Sequence, residues 1–327
     1  MSADLTAPRF TNEEEARKYF EAIRWPDGRT CPHCGTVEQS TLLKGKSHRP
    51  GLYQCNPCKK PFSAIMGTVY EKSHIPLHKW LLATHLMCSS KKGISAHQLG
   101  RMLGFGSYRT AWFMAHRIRE GMKGGGGSDG LMGGGGGTVE VDETFIGHDP
   151  HNPPMPDASK RPGNMNKVLS LVDRTSGEAR SFVVKDLRLS TIAPILQENI
   201  AREARLMTDE ANNYAKIGWN FASHATVNHS RGEYVSTIDP TAHTNTVEGF
   251  YSIFKRGMKG VYQHCASRHL HRYVAEFDFR YTNRLALGVD DKARADEAIK
   301  GTVGRRLTYR QPYGRRSFGL YAATGYQ

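Results

Sequence analysis

Three acidic residues stand where a carboxylate could bind a divalent metal ion. Asp142 lies in the alternating strand pattern TVEVD, Asp209 ends the apolar segment RLMT, and Glu248 lies near the start of a helical pattern. A charge inside an otherwise apolar strand is unfavourable unless another group compensates it. Two metal ions about 3.5–4 Å apart, held by such oxygens, can stabilise both the attacking and leaving oxygens of phosphoryl transfer. The triad is therefore a candidate two-metal site.

Each of these carboxylates also has an interpretation that involves no chemistry. Asp142 fits an exposed charge on a strand, and Asp209 fits the cap of a following helix. Glu248 stands three residues after Asn245, which is the spacing of a capping box with Asn245 as the N-cap. Spacing alone leaves both interpretations open for all three residues.

The segment HTNTVEGFYSIFKRG, residues 243–257, predicts an amphipathic helix that extends to Met258. Its apolar stripe consists of Val247, Tyr251, Phe254 and Met258, with Phe250 at the edge. Glu248 and Lys255 lie on a second stripe, roughly a quarter-turn away. A carboxylate and an amine are therefore expected on the same side of this helix, beside its buried face.

Two CxxC pairs near the amino terminus predict a zinc ribbon. The pairs are Cys31-Pro-His-Cys34 and Cys55-Asn-Pro-Cys58. Each pair supplies two thiolates from a tight turn, and tetrahedral Zn²⁺ takes four such ligands. We expect a structural zinc ion here, with redox-active pairs as the alternative.

Three consecutive helical patterns fill residues 77–122 and indicate a helix-turn-helix-like arrangement. The third helix carries Arg109 and Arg119 away from its apolar stripe, and both are candidates for contacts with DNA. The alternative is a small helical bundle with a solvated polar face.

Glycine dominates residues 124–137 and predicts a flexible linker. Strand patterns follow at 138–147, 167–173, 179–185 and 205–208, with a helical pattern at 191–204. This alternation indicates a mixed α/β layer. Residues 148–167 are expected to form an exposed loop.

The overall charge favours a polyanionic partner. The 327 residues contain 45 Lys and Arg against 31 Asp and Glu, a formal net charge of +14. Residues 251–327 carry 15 Lys and Arg against 6 Asp and Glu. Neutralising phosphates releases counterions, so such a chain is expected to bind nucleic acid. No secretory signal or apolar span of about 18 residues stands out, and a cytoplasmic, nucleoid-associated protein without a membrane partner is expected.

Three segments together resemble the DDE transposases of prokaryotic insertion sequences. They are VEVDETFIG, MTDEA, and HTNTVEGFYSIFKRGMKGVYQH followed by HLHRYVAEFDFRYTNR. The chain is similar to the branch with an N-terminal zinc ribbon, insertion-sequence family fifteen ninety-five, over about residues 10–310. This resemblance implies a ribonuclease-H-like core, two Mg²⁺ or Mn²⁺ ions, and cleavage and transfer of DNA strands at the element's ends.

The resemblance also implies roles for individual residues. Asp142 and Asp209 would be the first two metal-binding acids. Glu248 is preferred as the third, with Asn245 as the alternative. Lys255 would contact DNA phosphate, and Arg256 and Lys259 would extend that contact. The implied partners are the terminal inverted repeats, target DNA and further copies of the chain.

The expected organisation is multidomain. The expected parts are an N-terminal helix and zinc ribbon (1–72), a helix-turn-helix-like DNA-binding segment (73–123), a glycine-rich linker (124–137), a ribonuclease-H-like DDE catalytic domain (138–285) and a basic tail (286–327). The favoured function is a DNA transposase. A non-catalytic DNA-binding regulator and a structure-selective nuclease of the same fold are the alternatives.

Overall fold

The fold combines a small sheet, a layer of helices and a larger mixed sheet. The computed structural model describes residues 4–123, 130–149, 165–209, 212–227, 235 and 239–308. No helix within these ranges is both long and apolar enough to cross a bilayer.

The small sheet follows two helices at the amino terminus. These elements are α1 (Pro8–Thr11), α2 (Glu13–Arg24), β1 (Ser40–Leu42), β2 (Tyr53–Cys55) and β3 (Pro61–Phe62). Asn12 caps α2, and its side chain accepts hydrogen bonds from the amides of Glu14 and Glu15 at 2.9 and 3.1 Å. The three strands pair antiparallel in the order β1-β2-β3.

The helical layer begins with three helices at the positions that the sequence predicts. They are α3 (Leu77–Ser89), α4 (Ala96–Met102) and α5 (Tyr108–Met122). Ser95 caps α4 by accepting a hydrogen bond from the amide of Gln98 at 3.1 Å. Gly104, at φ +67°, follows α4 in the left-handed conformation that glycine adopts without strain. Trp80 and Met114 are among the side chains in the shared core.

The same helical core also contains residues from the other end of the described chain. Helix α10 (Asp291–Lys300) packs against α3 and buries Ala295, Ala298 and Ile299. The guanidinium of Arg294 donates to the carbonyl of Cys88 at 3.0 Å. The expectation of a basic tail from residue 286 is therefore wrong for residues 291–300, while residues 309–327 lie outside the described ranges.

The larger sheet has five strands in the order β6-β5-β4-β7-β8. Their bounds are β4 (Thr138–Ile146), β5 (Asn166–Asp173), β6 (Ala179–Val184), β7 (Arg205–Asp209) and β8 (Ser223–Val227). Strands β4, β5 and β6 pair antiparallel, whereas β7 and β8 run parallel to β4. The mixed α/β layer predicted from the sequence is thus present, with β4 at its centre.

Helices cover both faces of this sheet. They are α6 (Leu189–Asn199), α7 (Asn212–Ile217), α8 (Asn245–Gly257), which continues in a π-helical turn (Met258–Tyr262), and α9 (Ser267–Thr282). Val139 and Val141 of β4 belong to the core beneath α6. Glu140 and Asp142 alternate with these valines and therefore face the opposite side, where α8 and α9 pack.

Residues 131–137, expected to belong to the linker, pack against the mixed sheet. Met132 is buried, and its amide donates to the carbonyl of Asn199 at 2.8 Å. The amide of Gly133 donates to Asp173 at 2.8 Å. A Cβ on Gly133 would lie 2.5 Å from that of Ala204, so only glycine fits this contact. Residues 124–129 lie outside the described ranges.

A buried ion cluster joins the helical layer to α9. Arg119 of α5 donates to Glu276 at 2.6 Å, and Arg280 donates to the same carboxylate. The hydroxyl of Tyr262 donates to Glu276 at 2.5 Å. Arg119 is 2% exposed, so the expectation that it contacts DNA is wrong. Arg119 lies off the apolar stripe of α5 because it pairs with Glu276 of α9, across the interface between the two helices.

We expect Glu276→Gln to lower the free energy of unfolding by about 3–5 kcal/mol, because two buried guanidinium groups would lose their counter-charge. Urea unfolding followed by circular dichroism measures this loss. Glu297→Gln is the matched control: Glu297 pairs with Lys300 on the surface of α10 and should change stability by less than about 1 kcal/mol. Equal effects of the two substitutions would refute the structural role of the cluster.

Candidate active site and metal centre

Asp142 and Asp209 lie on neighbouring parallel strands. The register pairs Thr138 with Arg205 and Glu140 with Met207. Continuing this register by two residues brings Asp142 level with Asp209, the last residue of β7. The structure therefore brings the first two predicted acids together at the carboxyl edge of β7, which is a frequent location of functional sites in α/β sheets.

Helix α8 crosses the same face of the sheet and carries Glu248. The hydroxyl of Tyr251 donates to the backbone carbonyl of Asp142 at 2.5 Å. The amide of Val247 donates to the carboxylate of Glu140 at 2.8 Å. These contacts hold the first turns of α8 against β4, so that the half-buried Glu248 lies close enough to act on Asp142 electrostatically.

The electrostatics of Asp142 reflect this convergence of acids. Burial is the main cause that raises the pKa of Asp142 to about 7. An amide hydrogen bond from Glu143 at 2.8 Å opposes this rise. The negative charges of Glu143, Asp209 and Glu248 add to it. A site in which carboxylates raise one another's pKa favours any bound cation, since a cation removes their mutual repulsion.

Glu143 has a different environment from Asp142, although the two are adjacent. The hydroxyl of Tyr214 donates to its carboxylate at 2.5 Å, on the face of β4 opposite to α8. Burial raises the pKa of Glu143, and the charge of Asp209 contributes to this shift. The carboxylate of Glu143 thus already accepts a hydrogen bond from a side chain on the other face of the sheet.

Asn245 does not form the capping box that the sequence allowed. Helix α8 begins at Asn245, and Thr244 is its N-cap residue. The hydroxyl of Thr244 donates to Glu248 at 3.3 Å, one residue further along than a capping box requires. Asn245 is exposed, whereas Glu248 is half-buried beside the acids of the sheet.

The cations predicted on and after α8 differ in burial. Lys255 is half-buried, and its ammonium lies 5.9 Å from the ring centroid of Tyr251. Arg256 and Lys259 are exposed. Arg109, at the start of α5, is exposed as well, in contrast to the buried Arg119.

A positioning network beneath α8 was missed at the sequence level. Glu140 is fully buried and pairs with Arg174 at 2.5 Å. Arg174 also donates to the carbonyls of Thr241 and His243 at 2.7 and 2.6 Å. The segment that leads into α8 is thereby fixed to β4. The sequence indicates this network only through the acidic Glu140 in an otherwise apolar strand, which requires a compensating partner.

The four cysteines of the two CxxC pairs meet in one cluster. Their sulfur atoms all lie within 4.8 Å of one another, with Cys31 and Cys58 3.8 Å apart and Cys34 and Cys55 3.5 Å apart. Hydrogen bonds from the side chain and backbone of Thr36 are the main cause that lowers the pKa of Cys34, which favours the thiolate that binds metal. Four thiol groups at this separation suit a tetrahedral zinc ion.

Comparisons with known proteins identify relatives of two parts of the chain. A family model described as a transposase zinc-ribbon domain matches residues 11–61, and one described as an ISXO2-like transposase domain matches residues 135–282. The chain is 26% identical over 259 residues to the uncharacterized protein in transposable element ISH50 of Halobacterium salinarum. This match covers 76% of the chain and 83% of the relative.

A solved structure, the simian T-cell lymphotropic virus intasome in complex with PP2A regulatory subunit B56 gamma, contains a chain with 13% identity and a TM-score of 0.27. The match covers 61% of the present chain and 65% of that chain, and its TM-score is too low to bear on the fold.

The raised pKa of Asp142 predicts that the free energy of unfolding falls with rising pH in protein without added Mg²⁺ or Mn²⁺. The folded state holds a proton on Asp142 up to about pH 7, whereas an unfolded Asp releases it near pH 4. Stability from this group is therefore present at low pH and is lost as the pH rises towards about 7. Asp142→Asn should match the wild type near pH 4 and exceed it by roughly 1–3 kcal/mol at pH 8.

Urea unfolding across this pH range tests the prediction. Asp27→Asn, which makes the same change at an exposed position, is the control and should follow the wild type. Parallel stability curves for the wild type and Asp142→Asn would contradict a buried, repelled carboxylate.

Proposed function

We propose a metal-dependent DNA cleavage and strand-transfer reaction for this chain, which belongs to the family of ISXO2-like transposases with an N-terminal zinc ribbon. The observation that carries the proposal is the convergence of Asp142, Asp209 and Glu248 at one edge of the mixed sheet. Carboxylate oxygens of this kind are the ligands that Mg²⁺ and Mn²⁺ prefer. The chemistry of these donors therefore suits the two divalent ions that we propose.

In this proposal Asp142 and Asp209 hold the ions from the sheet, and Glu248 completes the site from α8. When bound, the ions stabilise charge on the attacking and leaving oxygens of a phosphodiester. Water would attack a phosphodiester at the element end and release a 3′-hydroxyl there. This hydroxyl would then attack a phosphodiester of target DNA, and the new phosphodiester bond would form as the target strand's own 3′-oxygen leaves. Glu248 is preferred to Asn245 as the third ligand, because Glu248 acts on Asp142 while Asn245 is exposed.

The sheet supports a ribonuclease-H-like assignment for the catalytic domain. Three antiparallel strands are followed by two strands parallel to β4, and the order β6-β5-β4-β7-β8 puts the first acid-bearing strand in the middle. In this arrangement the acids of β4 and β7 come from adjacent strands, while the third acid comes from a helix packed on the same face.

DNA would lie along the basic side of α8 and the start of α5. Lys255 is half-buried, and Arg256 and Lys259 are exposed at the carboxyl end of α8 and in the turn that follows it. Arg109 is exposed at the start of α5, the third helix of the helix-turn-helix-like segment. Cations at these positions would bind phosphates without reading bases. Because two element ends must be joined together, we also propose that the chain acts as a homo-oligomer.

The cysteine cluster would hold a structural zinc ion. Its four sulfur atoms leave no open position for a substrate, as is typical of structural rather than catalytic zinc sites. The ion would fix the two CxxC turns of a sheet whose strands contain only two or three residues each.

The triad predicts that Asp142→Asn, Asp209→Asn and Glu248→Gln each reduce DNA cleavage by about 100-fold or more, a barrier increase of about 2.7 kcal/mol. Asn245→Ala, at the exposed alternative position, should retain activity within about threefold. The assay follows nicking and strand transfer of a duplex that carries the element end, with Mg²⁺ or Mn²⁺.

Each outcome of this assay assigns a function. Normal cleavage by Asp142→Asn would refute the two-metal site. DNA binding that survives loss of all three acids, with no metal-dependent product from the wild type, would indicate a regulator. Cleavage without joining to a target would indicate a nuclease.

Arg174 is proposed as a positioning residue for Glu248. Arg174→Lys keeps the positive charge beside Glu140 but cannot reproduce the planar set of hydrogen bonds to the carbonyls of Thr241 and His243. We expect the Mg²⁺ concentration for half-maximal cleavage to rise about threefold to tenfold, with recovery at high Mg²⁺. Arg202→Lys, on the surface, is the control. Unchanged metal dependence in Arg174→Lys would contradict this role.

A further inference from the structure

A cavity of about 420 Å³ lies between the helical layer and the back of α8. Its walls include Phe250 and Ile253 of α8, together with Phe277 and Tyr281 of α9. On α8, these two residues lie about 200° and 140° around the helix axis from Glu248. The cavity is therefore separate from the proposed catalytic site, and its volume falls within the range of about 300–1,000 Å³ that is usual for small-molecule sites.

The lining of the cavity carries an excess of positive charge. Its charged residues are Lys91, Arg280, Arg284, Arg294 and Asp291. Asp291 already pairs with Arg294 at 2.7 Å. Lys91, Arg280 and Arg284 have no acidic partner among the other lining residues, although Arg284 donates to the carbonyls of Gly177 and Tyr281. The rest of the lining is mostly aromatic and aliphatic, and this combination favours a ligand with an anionic group and an apolar body.

Arg280 adds a buried charge that the protein only partly compensates. It is 7% exposed and shares the single carboxylate of Glu276 with Arg119, so two buried guanidinium groups face one buried carboxylate. Its Nε and Nη2 atoms have no hydrogen-bond partner among the residues that the structure describes. The cluster therefore carries a net positive charge, and an anion in the adjacent cavity would balance it.

We propose that this cavity binds a nucleoside monophosphate, either as a free nucleotide or as one nucleotide of a DNA single strand. The phosphate would pair with Lys91 and, through its charge, balance the nearby guanidinium groups of Arg280 and Arg284. The base would pack against the aromatic wall, since bases stack on aromatic side chains regardless of sequence. A bare anion would leave this wall uncovered, and a neutral apolar ligand would leave the charge uncompensated.

Lys91 and Lys92 provide a matched pair for testing this site. Both are exposed and adjacent, but only Lys91 lines the cavity. Calorimetric titration of the full chain with dTMP, thymidine and inorganic phosphate should give dTMP an affinity at least about tenfold above those of its two parts. Lys91→Glu should weaken dTMP binding about tenfold or more, whereas Lys92→Glu should stay within about twofold of the wild type.

A competing oligothymidine distinguishes the two sources of the ligand. Displacement of dTMP indicates a nucleotide of a DNA strand, and retention of dTMP indicates a free nucleotide; either result supports the site. Asp142→Asn should bind dTMP as the wild type does, which separates this proposal from catalysis.

Three outcomes would overturn the proposal. They are the absence of dTMP binding up to about 10 mM, equal losses in Lys91→Glu and Lys92→Glu, or binding of phosphate alone as tight as that of dTMP.

Discussion

The burial of Glu140 in the central strand is the constraint on which the catalytic face depends. A carboxylate without water needs an opposite charge and hydrogen-bond donors, and Arg174 and the amide of Val247 supply them. Satisfying Glu140 therefore fixes the start of α8 against β4. The same helix carries Glu248. The contacts that Glu140 makes with Arg174 and Val247 therefore determine how closely Glu248 approaches Asp142.

Much of this architecture could be predicted from local patterns in the sequence. Helices α3, α4 and α5 fall within the helical region predicted over residues 77–122, because apolar periodicity and side-chain caps act over a few residues. The cysteine cluster also follows from spacing alone. The position of Asp142 beside Asp209 could not be predicted in this way, because it depends on the register between β4 and β7, which no local pattern specifies.

The errors concern residues whose partners are remote in the sequence. Arg119 pairs with Glu276, which follows 157 residues later, and the sequence of its own helix does not indicate that partner. Helix α10 falls within the expected basic tail, and the burial of its apolar residues depends on α3, more than two hundred positions earlier in the chain. Arg174 was overlooked for the same reason, since its role depends on contacts with Glu140 and with the segment before α8.

The packing of α10 against α3 has a consequence for the order in which a newly made chain can fold. Translation delivers β4 to β8 before α10, so the mixed sheet can pair while the helical layer still lacks one of its walls. The helical core closes only when residues 291–300 have left the ribosome. A truncated polypeptide would therefore retain the acids of the sheet but expose the apolar side of α3, and that exposed side would make it a target for proteolysis.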